Sequence, residues 1–317
     1  MRFANNEEFF RAMSLTPDRA TLLAAPENTG LDSLRRILEE LQSSTKTELS
    51  DLGREALDCC GTGGSGHHKF NTSTAVAFVV AAAGKRVIKF GNRSATGQSG
   101  SLDFLDSISI PPLAERYAIE QSLAKENLAF LDASRFYPQL KELAPIRKKL
   151  GRPTLLNFLG PLLNPLKPEY RLLGVSNEAM LNHLATICRE DSGLTKALLV
   201  RSEKGLDELD PLSSNTVIEI DNAKTPSRYS LKTLRISGAI EFERRDNSTI
   251  FLDIIEGKDR RSLAYAALVL NGAAALMAAA AVNSLEEGME TVENLLRSGA
   301  VQQKYIRTKE LTKEIAA

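Results

Sequence analysis

The stretch ALDCCGTGGSGHHKFNTSTAVAFVVAAAGKRVIKFGNRSATGQSGS, residues 56–101, decides the fold. It opens on a short apolar run, Ala56–Cys60, and breaks into Gly61-Thr62-Gly63-Gly64-Ser65-Gly66. Asn71-Thr72-Ser73-Thr74 then leads into an apolar helix over Ala75–Ala83. Arg86–Phe90 reads as a second strand, Gly91–Ser101 as a second loop of small residues, and Leu102–Asp106 as the start of another helix. Strand, loop and helix in that order, twice over, is the pattern of a parallel α/β unit.

Both loops carry the chemistry of anion sites. Four glycines in the six residues after Cys60 let backbone N–H groups converge with no Cβ in the way. Asn71, Ser73 and Thr74 stand at a helix start, where free N–H groups and the helix dipole favour an anion. The plainer alternative is a tight turn followed by an ordinary N-cap. The loop is neither a Walker A loop nor GxGxxG. The second loop adds Lys89 at a strand end, followed by Gly91, Asn92, Arg93, Gly97, Ser99, Gly100 and Ser101. On adjacent βα units the two loops would lie side by side at the carboxyl edge of one sheet, which suits a substrate with two phosphate groups.

Outward from this unit, residues 1–56 read as short helices. Leu31–Leu41 places Leu31, Leu34, Ile37, Leu38 and Leu41 at helical spacing. Residues 137–170, rich in Pro and Leu, read as short helices joined by fixed turns that pack on the N-terminal helices. Ala197–Val200, Thr216–Ile220 and Thr249–Leu252 are strand candidates. Leu263–Val282 and Leu285–Arg297 are C-terminal helices, with Gly299 as a stop signal. The Leu263–Val282 run is uncharged and long enough to test for a membrane span. Half of it is Ala, however, with Asn271 and Gly272 in its middle, so it reads as a helix buried in a protein core.

Composition narrows the function. Forty basic and 40 acidic residues give zero net charge, which argues against a basic nucleic-acid binder. Hydrophobic residues at 43% exclude disorder over most of the 317 residues, a length that suits one large domain or two smaller ones. With no Trp and 6% aromatics, a carbohydrate platform or base-stacking surface is poorly supplied. Cys59, Cys60 and Cys188 form no CxxC pair, so neither a disulfide framework nor a zinc cluster is expected, and a reducing cytoplasm fits. The N-terminal residues, with Glu7 and Glu8 and no apolar core, do not read as a signal peptide.

The acidic pair Asp207-Glu208 lies in a loop after the 197–200 strand. Its plainer reading is a solvated pair; the other is Mg²⁺, which needs only one or two carboxylates, with Ser73 adding a hydroxyl. His67 and His68 sit in the first loop and read as solvated, His183 as helix packing, and Cys59-Cys60 as packing at a strand end. No pattern supports a nucleophilic triad.

Taken together, Gly61-Thr62-Gly63-Gly64, Asn71-Thr72-Ser73-Thr74, Lys89-Phe90-Gly91-Asn92-Arg93, Gly160-Pro161-Leu162-Leu163-Asn164-Pro165 and Asp207-Glu208 resemble the anthranilate phosphoribosyltransferase family. The GTGG and KxGNR segments are also similar to pyrimidine nucleoside phosphorylases; the GPLLNP segment points to the transferase branch. The resemblance implies an α/β fold, with a small helical domain (1–55 with 138–168) and a larger domain with a central, mainly parallel sheet flanked by helices (56–137 with 169–317). It implies a cytoplasmic homodimer that transfers phosphoribose from phosphoribosyl pyrophosphate to anthranilate in tryptophan biosynthesis. No nucleic-acid or membrane partner is expected.

By the same resemblance, phosphoribosyl pyrophosphate would meet Gly61, Gly64, Ser65, Asn71, Ser73, Thr74, Lys89, Gly91, Asn92, Arg93, Gly97 and Ser101. Ser73, Asp207 and Glu208 would hold Mg²⁺. The acceptor would meet Gly61, Asn92 and Arg147, with the Arg147 fork pairing its carboxylate. No acid or base is implied, because an aromatic amine is uncharged at neutral pH and positioning does most of the work. The chain departs from the family pattern at Ser65 (usually Asp), Lys69 (Thr), Phe90 and Tyr137 (His) and Gln98 (Lys). Phe90 and Tyr137 fall around the expected acceptor pocket. Two alternatives follow: a paralogue with another aromatic acceptor, or a non-catalytic homologue binding nucleic acid or a partner.

Overall fold

The computed structural model describes residues 22–26, 29–45, 49–63, 70–93, 100–231 and 246–316. Seven strands form the centre: β1 (Ala56–Gly61), β2 (Arg86–Gly91), β3 (Leu128–Asp132), β4 (Tyr170–Gly174), β5 (Lys196–Ser202), β6 (Asn215–Asp221) and β7 (Ser227–Leu231). They join one sheet in the order β3-β2-β1-β4-β5-β6-β7. The pairings from β3 through to β5 are parallel, whereas β6 and β7 add in antiparallel fashion. The expected mainly parallel sheet flanked by helices is the fold observed.

Strand residues alternate between two apolar layers, as a pleat requires. Leu57, Cys59, Val87, Leu172, Leu198 and Val200 enter one layer. Ala56, Cys60, Ile88, Phe90, Leu173 and Leu199 enter the other. With both faces covered, the parallel strands β1, β2, β3 and β5 read in sequence as largely apolar runs, whereas the edge strand β7 is mostly exposed and polar.

The first layer is closed by α2 (Thr72–Ala82), α10 (Asn247–Ile255), α11 (Leu263–Ala278) and α12 (Leu285–Arg297). Helix α11 is the uncharged Ala-rich run, and most of its residues are buried against neighbouring helices. A Cβ on Gly288 of α12 would come within 2.9 Å of Ala273, so glycine permits the close approach of these helices. No helix among the described residues is long and apolar enough to cross a membrane. Helix α12 ends before Gly299, whose φ of +76° suits glycine.

The second layer is built by α1 (Leu31–Ser43), α9 (Glu178–Glu190) and the 137–166 region. Leu34, Ile37, Leu38 and Leu41 of α1 are buried as their spacing predicts; each such burial stabilises by about 1.5–3 kcal/mol. The 137–166 region forms α6 (Pro138–Lys141), α7 (Ala144–Leu150), α8 (Leu155–Leu159) and a 3₁₀ turn at Gly160–Leu162. It hydrogen-bonds to the N-terminal segment through Leu155 N–H to Ala24 O (3.1 Å) and Gln42 Nε2 to Leu162 O (3.1 Å). Helix α3 (Ser101–Ser107) adds Leu102, Phe104 and Leu105 to the first layer, to which α13 (Ala300–Ala316) adds Val301 and Tyr305, and α4 (Arg116–Glu126) and α5 (Ala133–Phe136) add Ile119, Leu123 and Phe136 to the second.

One strand expectation is corrected. Thr249–Leu252 lies inside α10, whose N-cap Asp246 accepts from Thr249 N–H at 2.9 Å. Ile250, Phe251, Ile254 and Ile255 are buried at helical spacing, so a β-branched run serves one helix face. Three strands, β3, β4 and β7, are additions to the sequence reading.

Candidate active site

The strand order turns at β1, with β2 and β3 to one side and β4 and β5 to the other. Open α/β sheets bind ligands outside the carboxyl ends of strands at such a point. Here Gly61 closes β1 in register with Gly174 at the end of β4. A Cβ on Gly61 would lie 2.2 Å from Asp207 Oδ2, and one on Gly174 only 1.8 Å from the Asp207 carbonyl oxygen. The two missing side chains thus let the turn after β5 settle directly over the strand ends. Asp207 is buried, and its Oδ2 accepts from the Gly63 N–H at 2.7 Å. Glu208 Oε1 accepts from Thr72 Oγ1, at the first turn of α2, at 3.2 Å. Both carboxylates therefore face the first glycine loop and a helix N-terminus, where negative charge is favoured.

Lys89 is 3% exposed, so its ammonium depends on internal partners. Its Nζ donates to Cys59 O at 2.7 Å and to Ser73 Oγ at 3.1 Å. It thereby ties β2 to both β1 and α2. Thr74 is fully buried with its hydroxyl unpartnered, and its N–H donates to Asn71 O at 3.0 Å. Ser73, Asp207 and Glu208 offer only oxygen donors. Among the described residues no group of three or more His, Cys, Asp or Glu could hold a metal. A hydroxyl and two carboxylates, with waters or substrate oxygens, nevertheless suit Mg²⁺, which rarely takes an all-protein cage.

Because β1 and β2 pair in parallel, the second loop leaves the same edge as the first. Asn71 Nδ2 donates to Gly100 O at 3.4 Å and ties the loops together. A Cβ on Gly91 would meet Ser101 Oγ at 2.2 Å. That hydroxyl donates to Asn92 O at 3.2 Å. Arg93 is exposed and turned towards Asp106 (2.7 Å) and Asp103 (3.0 Å), whose hydrogen bonds raise its pKa. Gly64, Ser65 and Gly97, with His67, His68, Lys69 and Gln98, lie outside the described residues.

Arg147 sits on α7, half-buried, and burial lowers its pKa. Its Nη2 donates to Asn157 Oδ1 at 3.0 Å, while its Nε is buried without a partner. Asn157 on α8 passes the connection on: its Nδ2 donates to Thr62 O at 3.3 Å. Ser176 completes this corner, its hydroxyl donating to Gly63 O at 3.0 Å. Phe90 stacks against Tyr137 edge-on, ring centroids 6.1 Å apart, and against Phe136 at 6.2 Å. Burial pushes the Tyr137 phenol up to about 12. Phe90, Phe136 and Tyr137 therefore form one buried aromatic cluster in the second layer.

Several residues of this region escaped the sequence reading. Asp58, fully buried on β1, faces its register partner Arg171 on β4. Burial pushes its carboxyl up, opposed by Lys89, by the Asn164 hydrogen bond and by Arg171. Asn164 of the GPLLNP segment donates to Asp58 Oδ2 (2.9 Å) and Ile88 O (3.1 Å), which locks that segment onto β1 and β2. Gly174, Ser176 and Asn157 had no flanking motif to flag them; Asn271 was visible as a polar break in an apolar helix. The cysteines are free and buried, with the Cys59 thiol pushed up to about 12 by burial, as packing residues require. His183 is half-buried on α9.

An acidic turn over the switch point of a mainly parallel sheet, seated against the first glycine loop and the start of α2, suits an enzyme that handles phosphorylated substrates. Residues 53–302 match the model of the glycosyl transferase family, a/b domain. The anthranilate phosphoribosyltransferase of Staphylococcus epidermidis is 36% identical over 260 residues, 80% of this chain and 78% of that protein. The crystal structure of the Thermus thermophilus anthranilate phosphoribosyltransferase superposes with a TM-score of 0.79 at 28% identity, covering 98% of this chain and 97% of that one. The Saccharomyces cerevisiae enzyme, in complex with PRPP and Mg, shares the fold with a TM-score of 0.75 at 22% identity over 90% of this chain and 80% of that one. The chain belongs to the glycosyl transferase family, in its anthranilate phosphoribosyltransferase branch.

Proposed function

We propose that the protein transfers phosphoribose from phosphoribosyl pyrophosphate to the amino group of anthranilate, in tryptophan biosynthesis, with Mg²⁺ as cofactor. The observation that carries this reading is the seating of Asp207 and Glu208 against Gly63 and the start of α2. The relatives' shared activity and the PRPP and Mg of the yeast complex support it.

The chain's own groups account for the chemistry. Backbone N–H groups of the two loops and the α2 terminus orient the phosphates. Lys89 fixes Ser73, and Ser73, Asp207 and Glu208 hold the cation. Bound there, Mg²⁺ supplies neutralisation of the charge developing on pyrophosphate. Arg147, held by Asn157, pairs the acceptor carboxylate through its guanidinium. The amine nitrogen forms its bond to ribose C1 as the C1–O bond to pyrophosphate breaks, and the strongly acidic arylammonium so formed gives its extra proton to the departing pyrophosphate or to water. Since that amine is uncharged at neutral pH, no side chain must deprotonate it before attack, and orientation carries the rate.

The buried aromatic pair Phe90 and Tyr137, standing where the resemblance would place histidines, supports a second reading within the same chemistry, a different aromatic acceptor. On either reading the protein acts as a cytoplasmic homodimer on small molecules, without a nucleic-acid or membrane partner. Residues 1–55 with 138–168 then form the small helical domain beside the α/β domain of 56–137 with 169–317. Loss of anthranilate fluorescence with phosphoribosyl pyrophosphate and Mg²⁺ tests the activity. Asp207→Ala with Glu208→Ala should abolish the Mg²⁺-dependent part; unchanged turnover removes the metal assignment. Donor binding by calorimetry with no anthranilate consumption selects the other acceptor.

A further inference from the structure

Asn271 is an uncharged polar side chain set in the middle of α11, with 2% of its surface exposed. Burying a carboxamide among Ala and Leu is unfavourable unless its hydrogen bonds are made. All of those it makes are internal. Its Oδ1 accepts from Leu209 N–H at 2.9 Å, and its Nδ2 donates to Leu209 O at 2.9 Å and to Ala267 O at 2.9 Å. One carboxamide thus satisfies both backbone groups of the residue immediately after Glu208. A second does the same one residue further: Asn215 Oδ1 accepts from Asp210 N–H at 2.8 Å, and its Nδ2 donates to Asp210 O at 3.0 Å. The peptide planes after the acidic pair are therefore held from two elements, α11 and β6.

We propose that Asn271 is a positioning residue for the acidic turn: by closing both backbone hydrogen bonds of Leu209 from inside the core, it fixes the direction in which Asp207 and Glu208 present their carboxylates. A helix interior would be better served by Ala or Leu at this position. The carboxamide is explained by the strand-like pairing it offers to both backbone groups of Leu209. This inference rests on the reading that Asp207 and Glu208 hold the cation.

The test compares Asn271→Leu, which keeps the volume and loses every hydrogen bond, with Asn271→Asp, which keeps an acceptor for Leu209 N–H and loses the donors. Three readings are taken on the full-length protein below its melting range: Mn²⁺ binding in the presence of pyrophosphate by electron paramagnetic resonance, hydrogen exchange of the Leu209 amide without metal, and the Mg²⁺ concentration for half-maximal turnover. The expected result is a weakening of metal binding by about 10–100-fold in Asn271→Leu, with a smaller loss in Asn271→Asp. Faster Leu209 exchange and an unchanged KM for anthranilate should accompany it. A lowered melting temperature with wild-type Mn²⁺ binding and Mg²⁺ dependence overturns the proposal and leaves Asn271 a packing residue. If Asn271→Leu does not fold, Asn271→Asp alone decides, by the same readings. Asp207→Ala distinguishes the two levels: if it too leaves metal binding unchanged, the cation assignment has failed; if only the Asn271 variants do, the positioning role has.

Discussion

Gly174→Ala offers the sharpest single perturbation of the site. The φ of Gly174 is not positive, so alanine is conformationally acceptable and the added methyl is the whole change. That methyl would stand 1.8 Å from the Asp207 carbonyl oxygen and 2.4 Å from its carbon. An ordinary C···O approach is about 3.3–3.6 Å, so the acidic turn must retreat by roughly 1.5 Å. Backbone, not a rotatable side-chain tip, has to move. Overpacking of this kind costs about 1–3 kcal/mol of stability, and a misplacement of 1 Å in a positioned site costs about 10²-fold in rate. Gly53→Ala supplies the control: its methyl would meet Leu166 O at the same 1.8 Å, but at the opposite end of β1. Turnover of anthranilate should be measured across a Mg²⁺ titration at a temperature below both melts. Gly174→Ala should lose about 10²-fold in turnover with a raised Mg²⁺ requirement, whereas Gly53→Ala should lose stability alone. Equal activity losses in the two variants, or wild-type Mg²⁺ dependence in Gly174→Ala, would refute the reasoning.

Other perturbations have equally definite outcomes. Arg147→Lys should raise the KM for anthranilate by at least about tenfold and leave that for the donor little changed, because an ammonium cannot replace the planar fork; steady-state kinetics in each substrate decide it. Phe90→His with Tyr137→His should lower stability by about 1–3 kcal/mol in urea melts, since two imidazoles would enter an aromatic cluster without partners. Lys304→Met should cost about 3 kcal/mol by the same measurement, because Lys304 Nζ meets buried Glu126 Oε2 at 2.8 Å and removing it strands a charge only partly covered by Arg307. Hydrogen bonds from Ser248 and Thr249 hold the Asp246 carboxyl well below the usual carboxylate range. Its stabilisation of α10 is therefore full above an unfolded-state pKa of about 3.9 and fades as pH falls below that. Asp246→Asn should keep the cap yet flatten this part of the acid melting curve.

The fold was most legible where local pattern and tertiary environment agree. The run from Ala56 to Ser101 carries its own strands, loops and helices, and both loops do leave the same sheet edge. Legibility fell where tertiary context decides. Thr249–Leu252 looks like a strand by β-branching, but the Asp246 cap and the buried face it serves make it helical. β4 was hidden because Arg171 interrupts its apolar run; inside the fold that arginine is buried beside Asp58 and Cys188, a pairing made across 17 residues or more. At the site, the residue types that announce chemistry (Lys89, Arg147, Asp207, Glu208) could be picked out from sequence. Gly174 and Asn157 could not be, and Asn271 showed only as a polar break without a role. Their significance lies in what approaches them: a carbonyl, a guanidinium, a turn.

Thr62 and Gly63 lie where two hydrogen-bond systems meet. From the second apolar layer, Asn157 donates to Thr62 O and carries Arg147 with it. From the carboxyl end of β5, Asp207 accepts from Gly63 N–H. Successive residues are thus fixed both to the arginine assigned to the acceptor and to a carboxylate assigned to the cation. For a transfer in which no strong base is required, the separation and angle between amine and ribose C1 dominate the barrier, and effective molarities reward rigid placement. A single dipeptide anchored from both sides holds Asn157 and Asp207 in a fixed relation to each other. At position 90 the ring packs on Tyr137 and Phe136 inside the second apolar layer, where an imidazole would find no charged group beside it among those ring contacts.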